Sequence, residues 1–241
     1  LQGSVNGDTA MLEGAISAQD ASIGLKGNLA LNDSTFDMAL TIKAETVAAL
    51  GALAKHPIDD KTPLNLSASV GGKPDVISIK DLKLTYGEIE ADGKMDVNLT
   101  GDKPYIGATL HIPNFTSEAK SEPEAADAPA EGAPTPAPSA MDAPLPLDAL
   151  NSVNANIKLT IDTLKTPSLT LTAVNATTEL KDKKLSIEPL SAQLSGGAVS
   201  GSVVLDASEA TPTLMLTLLS QQIGLESLMK ELGGSSDVKN G

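Results

Sequence analysis

Apolar and polar residues alternate along most of this chain. Leu25, Gly27, Leu29 and Leu31 occupy every second position, as do Phe36, Met38, Leu40 and Ile42, and later Ile106, Ala108, Leu110 and Ile112. The same beat returns at Ile157, Leu159 and Ile161 and at Leu214, Leu216 and Leu218. A period of two places these side chains on one face of a sheet, with Ser, Thr, Asn, Lys and Asp on the other. LNDS (31–34), GGKPD (71–75) and KDKK (181–184) read as the turns between strands. One apolar face and one wet face is the antiparallel pattern, not the parallel one.

Three stretches leave that beat. AETVAALGALAK (44–55) has Val47, Leu50 and Leu53 at helical spacing. QIGLESLMKELGG does the same with Ile223, Leu225, Leu228, Met229 and Leu232, then meets Gly233 as a C-cap. LPLDALNSV (145–153) suggests a shorter helical turn. The expected fold is therefore mainly β: a curved, repeated antiparallel sheet, either a β-groove or an open sandwich, with two or three short helices.

The chain also repeats itself. Residues 64–112 lie over residues 172–220 without a gap, an offset of 108 positions. Identities include Ser78/Ser186, Ile79/Ile187, Leu82/Leu190, Gly93/Gly201, Pro104/Pro212 and Leu110/Leu218, and the apolar alternation stays in phase. Residues 16–31 match 190–205, which makes Gly27, Gly93 and Gly201 equivalents in three copies of one unit. A glycine within a strand costs entropy and packing, so its recurrence needs a cause. Either the backbone bends or bulges there, or another backbone comes close.

Composition divides the chain. SEAKSEPEAADAPAEGAPTPAPSAMDAP (117–144) is Pro, Ala and Glu with little to bury, the signature of a disordered acidic linker. The expected organisation is a first β-repeat region at 1–115, a linker at 116–146 and a second β-repeat region at 147–241, continuous in one sheet with the first. No apolar run approaches the roughly 18 residues of a membrane helix. The chain begins with Leu1 and ends in GGSSDVKNG, and reads as a piece of a longer one.

Charge and chemistry exclude more than they suggest. Net charge is −14, every basic residue is lysine, and the only aromatic residues are two Phe and two Tyr. Phosphate and base readout relies on arginine forks and aromatic stacking, so a nucleic-acid partner is not expected. Without cysteine there are no disulfides, thiolate nucleophiles or zinc–thiolate sites. The two histidines, His56 and His111, have no companion at ligand spacing and read as surface residues. Asp59 and Asp60 read as loop or capping residues. No catalytic or phosphate-binding motif occurs, so neither enzyme activity, nor a metal, nor a cofactor is expected.

What remains is the apolar face. Its candidate members are Leu25, Leu29, Phe36, Met38, Leu84, Met95, Ile106, Leu110, Leu159, Leu171, Val203, Leu214 and Leu216, with Gly27, Gly93 and Gly201 as backbone-bend candidates. Periodicity alone admits two fates for that face. Two sheets can bury each other as an ordinary core. Alternatively, one open sheet can offer a smooth aliphatic lining to acyl chains, which have no fixed shape to recognise.

LTLT (169–172) followed by TTELKDKKLSIEPLSAQLSGGAVSGSVVLDASEATPTLMLTL resembles the repeat signature of the AsmA family, and LESLMKELGG resembles the element that follows it there. LNLSASVGGKPDVISIKDLKLTYGEIEADGKMDVNLTGDKPYIGATL resembles the preceding unit. The resemblance implies a periplasmic protein of the Gram-negative envelope, held to the inner membrane by an N-terminal anchor outside this sequence. It groups the chain with TamB-like and bridge-like lipid-transfer proteins and implies phospholipid as ligand. The function it implies is a contribution to outer-membrane biogenesis by holding or conducting phospholipid acyl chains along an apolar β-groove. The alternative is an assembly scaffold or chaperone-like adaptor for outer-membrane proteins, with outer-membrane assembly proteins as partners and the apolar face buried as ordinary core.

Overall fold

The structure, a computed structural model, describes residues 2–18, 20–53, 55–56, 58–117, 150–209 and 211–224. In chain order its elements are β1 (Gln2–Asn6), β2 (Thr9–Ala18), β3 (Ala21–Ala30), β4 (Phe36–Ala44), α1 (Val47–Leu53), β5 (Leu64–Lys73), β6 (Val76–Tyr86) and β7 (Ile89–Asn98). There follow β8 (Tyr105–Thr116), β9 (Asn154–Lys165), β10 (Thr170–Lys181), β11 (Lys184–Leu194), β12 (Gly197–Asp206) and β13 (Thr213–Gln221). All thirteen strands form one open sheet in chain order, each bonded to its sequence neighbours. The chain is mainly β, an open, curved and repeated sheet, as the alternation predicts.

The turns explain why the strands stack in order. Two-residue loops close the β10–β11 and β11–β12 hairpins, and Asp182, Lys183, Ser195 and Gly196 all have positive φ. That conformation matches the strand twist and brings each new strand back beside the last. Gly7 and Gly87 supply the left-handed residue for the β1–β2 and β6–β7 turns. GGKPD is read differently by the structure. Gly71 and Gly72 extend β5, and only Pro74 and Asp75 turn.

The offset of 108 is reproduced strand by strand. It carries Val76–Tyr86 onto Lys184–Leu194 and Ile89–Asn98 onto Gly197–Asp206. A register shift between Ile79 and Leu82 recurs between Ile187 and Leu190. One backbone bond recurs three times. Leu31 donates to Asp8, Leu99 to Asp75 and Ala207 to Lys183, at 2.7, 2.7 and 3.1 Å. The residue that follows the third strand of a unit thus donates to the turn between its first two. The sheet comprises the units β1–β4, β5–β8 and β10–β13, with β9 set between the second and third.

The β8–β9 pair corrects the antiparallel expectation, because it is parallel, with Ile106 opposite Ala155 and Leu110 opposite Leu159. Alternation reports which faces are wet and not which way a neighbour runs. A parallel pair needs a crossover of a dozen or more residues, and 117–153 meets that length. The expected linker at 116–146 lies outside the described residues from 118 onward. Thr116 still belongs to β8, and Ser117 donates to the Lys165 carbonyl at 2.8 Å.

α1 is shorter than the apolar spacing suggests, since Ala44 is the last residue of β4. Thr46 caps it, its hydroxyl accepting from the Ala49 amide at 3.2 Å. Asp60 ties the returning loop to the sheet. Its carboxylate accepts from the Thr62 amide at 2.8 Å and from the Tyr86 hydroxyl at 2.7 Å. These bonds, Tyr86 first, hold the carboxyl below its usual range. The segment expected as a third helix reduces to a 3₁₀ turn at 150–151 among its described residues. The helix expected around 223–233 lies outside them from residue 225.

Candidate functional site: the apolar face

Register decides which side chains meet on a sheet. Here it assembles one row that crosses every strand. Val5, Ala10, Leu29, Phe36, Gly72, Ile77, Val97, Ile106, Ala155, Leu180, Leu185, Leu205 and Leu214 are successive partners from β1 to β13. No polar residue interrupts it. A second row runs from Leu12 through Gly27, Met38, Val70, Ile79, Met95, Ala108, Ile157, Thr178, Ile187 and Val203 to Leu216, with Thr178 as its one polar member.

A third row joins Gly14, Leu25 and Leu40 to Ala68 and resumes after the β6 bulge at Leu82, Gly93, Leu110 and Leu159, ending at Leu218. Leu84 sits in a fourth, with Ile42, Leu66 and Ala91. Twelve of the thirteen sequence candidates thus fall in four adjacent rows. Leu171 does not. It lies past a bulge at Ala173 (φ 49°) and pairs with Leu164 and Leu194.

The size of this surface matters. Strand spacing of roughly 4.8 Å over thirteen strands gives a contour of about 58 Å, and four rows span about 20 Å. The product, on the order of 1,000 Å², exceeds the few hundred Å² that a soluble monomer ordinarily exposes. Among the described residues no second sheet lies against it, and no side chain is less than 2% exposed. Among the described residues burial is confined to Ala10, Ala21, Ala44, Gly51, Ala68, Ala108, Ile161, Gly197 and Ala207. In β4 and β7 the apolar side chains are half-buried and their alternates exposed, so the rows shelter mainly one another.

The three glycines share one geometry. A Cβ on Gly27, Gly93 or Gly201 would meet the carbonyl oxygen of Asp37, Thr109 or Thr217 in the next strand, closer than the 3.0 Å that real Cβ atoms respect. None of the three has a positive φ. Close approach of a neighbouring backbone, rather than a bulge at the glycine itself, is what each position requires.

The opposite face is polar and carries the ionisable groups. His111 lies between two carboxylates, its Nδ1 2.9 Å from Asp92 and its Nε2 3.0 Å from Asp162. Those hydrogen bonds, Asp92 first, raise its pKa above the ordinary 6.5. A hollow of about 830 Å³ opens beside it, lined by Lys80, Lys83, Lys94, Asp92 and Thr109 among others. Leu82, Leu84, Ala91 and Gly93 of the third and fourth rows line it as well. His56 stands apart in the exposed loop after α1. Among the described residues no three His, Asp or Glu side chains converge as metal ligands, and no helix is long and apolar enough to cross a membrane.

No protein-family model, curated protein or solved structure matches the chain.

Proposed function

We propose that this chain is a non-enzymatic, periplasmic part of an AsmA-like envelope protein that holds or conducts phospholipid acyl chains along its apolar face. The observation that carries this reading is the unbroken row from Val5 to Leu214, which crosses all thirteen strands in register. A protein that needed only a core would cover such a face with a second layer. Among the described residues the face is left to aliphatic side chains of varied size, which suit a mobile, featureless ligand.

The magnitudes are adequate. Each buried methylene contributes roughly 0.8 kcal/mol, so a chain in contact over ten methylenes gains about 8 kcal/mol before its ordering cost. A continuous row lets that contact slide without crossing a polar barrier. Resemblance to the AsmA repeat supports the envelope setting and an anchor beyond this sequence.

The test is purification without detergent, followed by solvent extraction and mass spectrometry. Phospholipid recovered in stoichiometric amount supports the reading. Protein free of lipid that also ignores fluorescent phospholipid contradicts it. Crosslinking in cells that captured outer-membrane protein precursors and never lipid would favour the scaffold instead.

A further inference from the structure

β4, β8 and β13 hold the same place in the three units, each receiving the close-approach glycine of the strand before it. The far edge of β4 is occupied by β5, and that of β8 by β9. The far edge of β13 has no partner strand among the described residues. An exposed edge strand ordinarily carries charge, proline or a bulge that discourages pairing. β13, TLMLTLLSQ, carries none of these.

β13 also departs from its equivalents on the second face. β4 shows Asp37, Thr41 and Lys43 there, and β8 shows Thr109 and His111, whereas β13 shows Met215 and Leu219 around Thr217. These two are 67% and 58% exposed, which no role in the sheet as described explains. A strand like β5 or β9 would set Ser, Asn or Lys against them. Another β13 would not.

We propose that β13 is a self-association edge, pairing antiparallel with β13 of a second copy about a two-fold axis at Thr217. Apolar and polar positions mirror each other about that residue except at Leu214, which faces Ser220. Leu216 then faces Leu218 of the second copy, Met215 faces its Leu219, and Thr213 faces its Gln221, so all nine residues pair. A two-fold axis perpendicular to the sheet keeps like faces together, so the second and third apolar rows continue through Leu216 and Leu218 into the other copy, while the first row meets Ser220 there. The opposite edge is a poorer partner, because β1 is five residues long with Gln2, Ser4 and Asn6 on its polar side. The inference is independent of what the apolar face binds.

Sedimentation equilibrium of the 241-residue chain tests it, with M215K/L219K and M215K/L219E as variants. Both sites are exposed, so circular dichroism should be unchanged. The wild type should form dimers that tighten with salt, since each copy carries −14. M215K/L219K sets lysines against each other twice and should weaken the dimer roughly tenfold. M215K/L219E sets lysine against glutamate in the same register and should restore it. A wild type that stays monomeric overturns the proposal, and so does a ladder of ever larger species, the sign of head-to-tail β13–β1 pairing. Failure of M215K/L219E to recover relative to M215K/L219K overturns it as well.

Discussion

His111 on β8 and Asp162 on β9 lie 3.0 Å apart across the β8–β9 pair, the parallel junction between the second and third units. On its other side the same ring reaches Asp92 on β7 at 2.9 Å. Only the imidazolium can donate from both nitrogens at once. The neighbours on this face are Lys83 on β6, Glu90 and Lys94 on β7, Lys158 and Thr160 on β9, and Asn175 on β10. Because the folded pKa is raised above 6.5, the stability this ring contributes is fully present below pH 6.5. It is lost as pH rises through the folded value. Urea midpoints for wild type and His111→Asn should therefore differ most near pH 5.5 and converge at alkaline pH. A constant difference across that range would contradict the clamp.

Asp60 has the opposite dependence. Its pKa is lowered below 3.8 by Tyr86 and Thr62, so its contribution is present above that value and is lost as pH falls through the folded one. Asp60→Asn should lower the melting temperature at neutral pH and match wild type in strong acid. Tyr86→Phe should reproduce part of the neutral-pH loss, since the Thr62 bond survives.

The glycine triad makes a prediction about backbone spacing. Gly27→Ala, Gly93→Ala and Gly201→Ala each drive a methyl group against a carbonyl of the next strand, and each should cost about 1–3 kcal/mol. Gly101→Ala is the control, because its nearest atom is the Lys103 oxygen at 3.4 Å and its φ is not left-handed. Equal denaturant midpoints for Gly93→Ala and Gly101→Ala would remove close approach as the reason for the repeat.

Much of this architecture was legible because alternation and repetition are local. The period of two puts Phe36, Met38, Leu40 and Ile42 on one face, and the offset of 108 gives the starts of β11 and β12 relative to β6 and β7. What was not legible depends on the partner strand. The direction of β9 against β8 leaves no trace in either sequence, and neither does the pairing that sets Leu171 opposite Leu164 and Leu194, beyond the four rows. His111 looked like an isolated surface histidine because Asp92 and Asp162 reach it only across strands. Likewise, Ser195 and Gly196 interrupt LSGGAVSGSVVL with a hairpin turn that only their positive φ values reveal. Whether a second layer covers the apolar rows is not legible in the sequence, since period two is the same for a core and for an open face.

Register makes the choice of lipid-facing side testable residue by residue. A photo-crosslinking amino acid placed at Met95 or Ile157 lies in the second apolar row, while Asp96 and Asn156 next to them lie on the opposite face. Irradiation with phospholipid vesicles, read by mass spectrometry, should give lipid adducts at Met95 and Ile157 and none at Asp96 and Asn156. Equal labelling on the two faces, or adducts at neither row position, would contradict an acyl-binding apolar face.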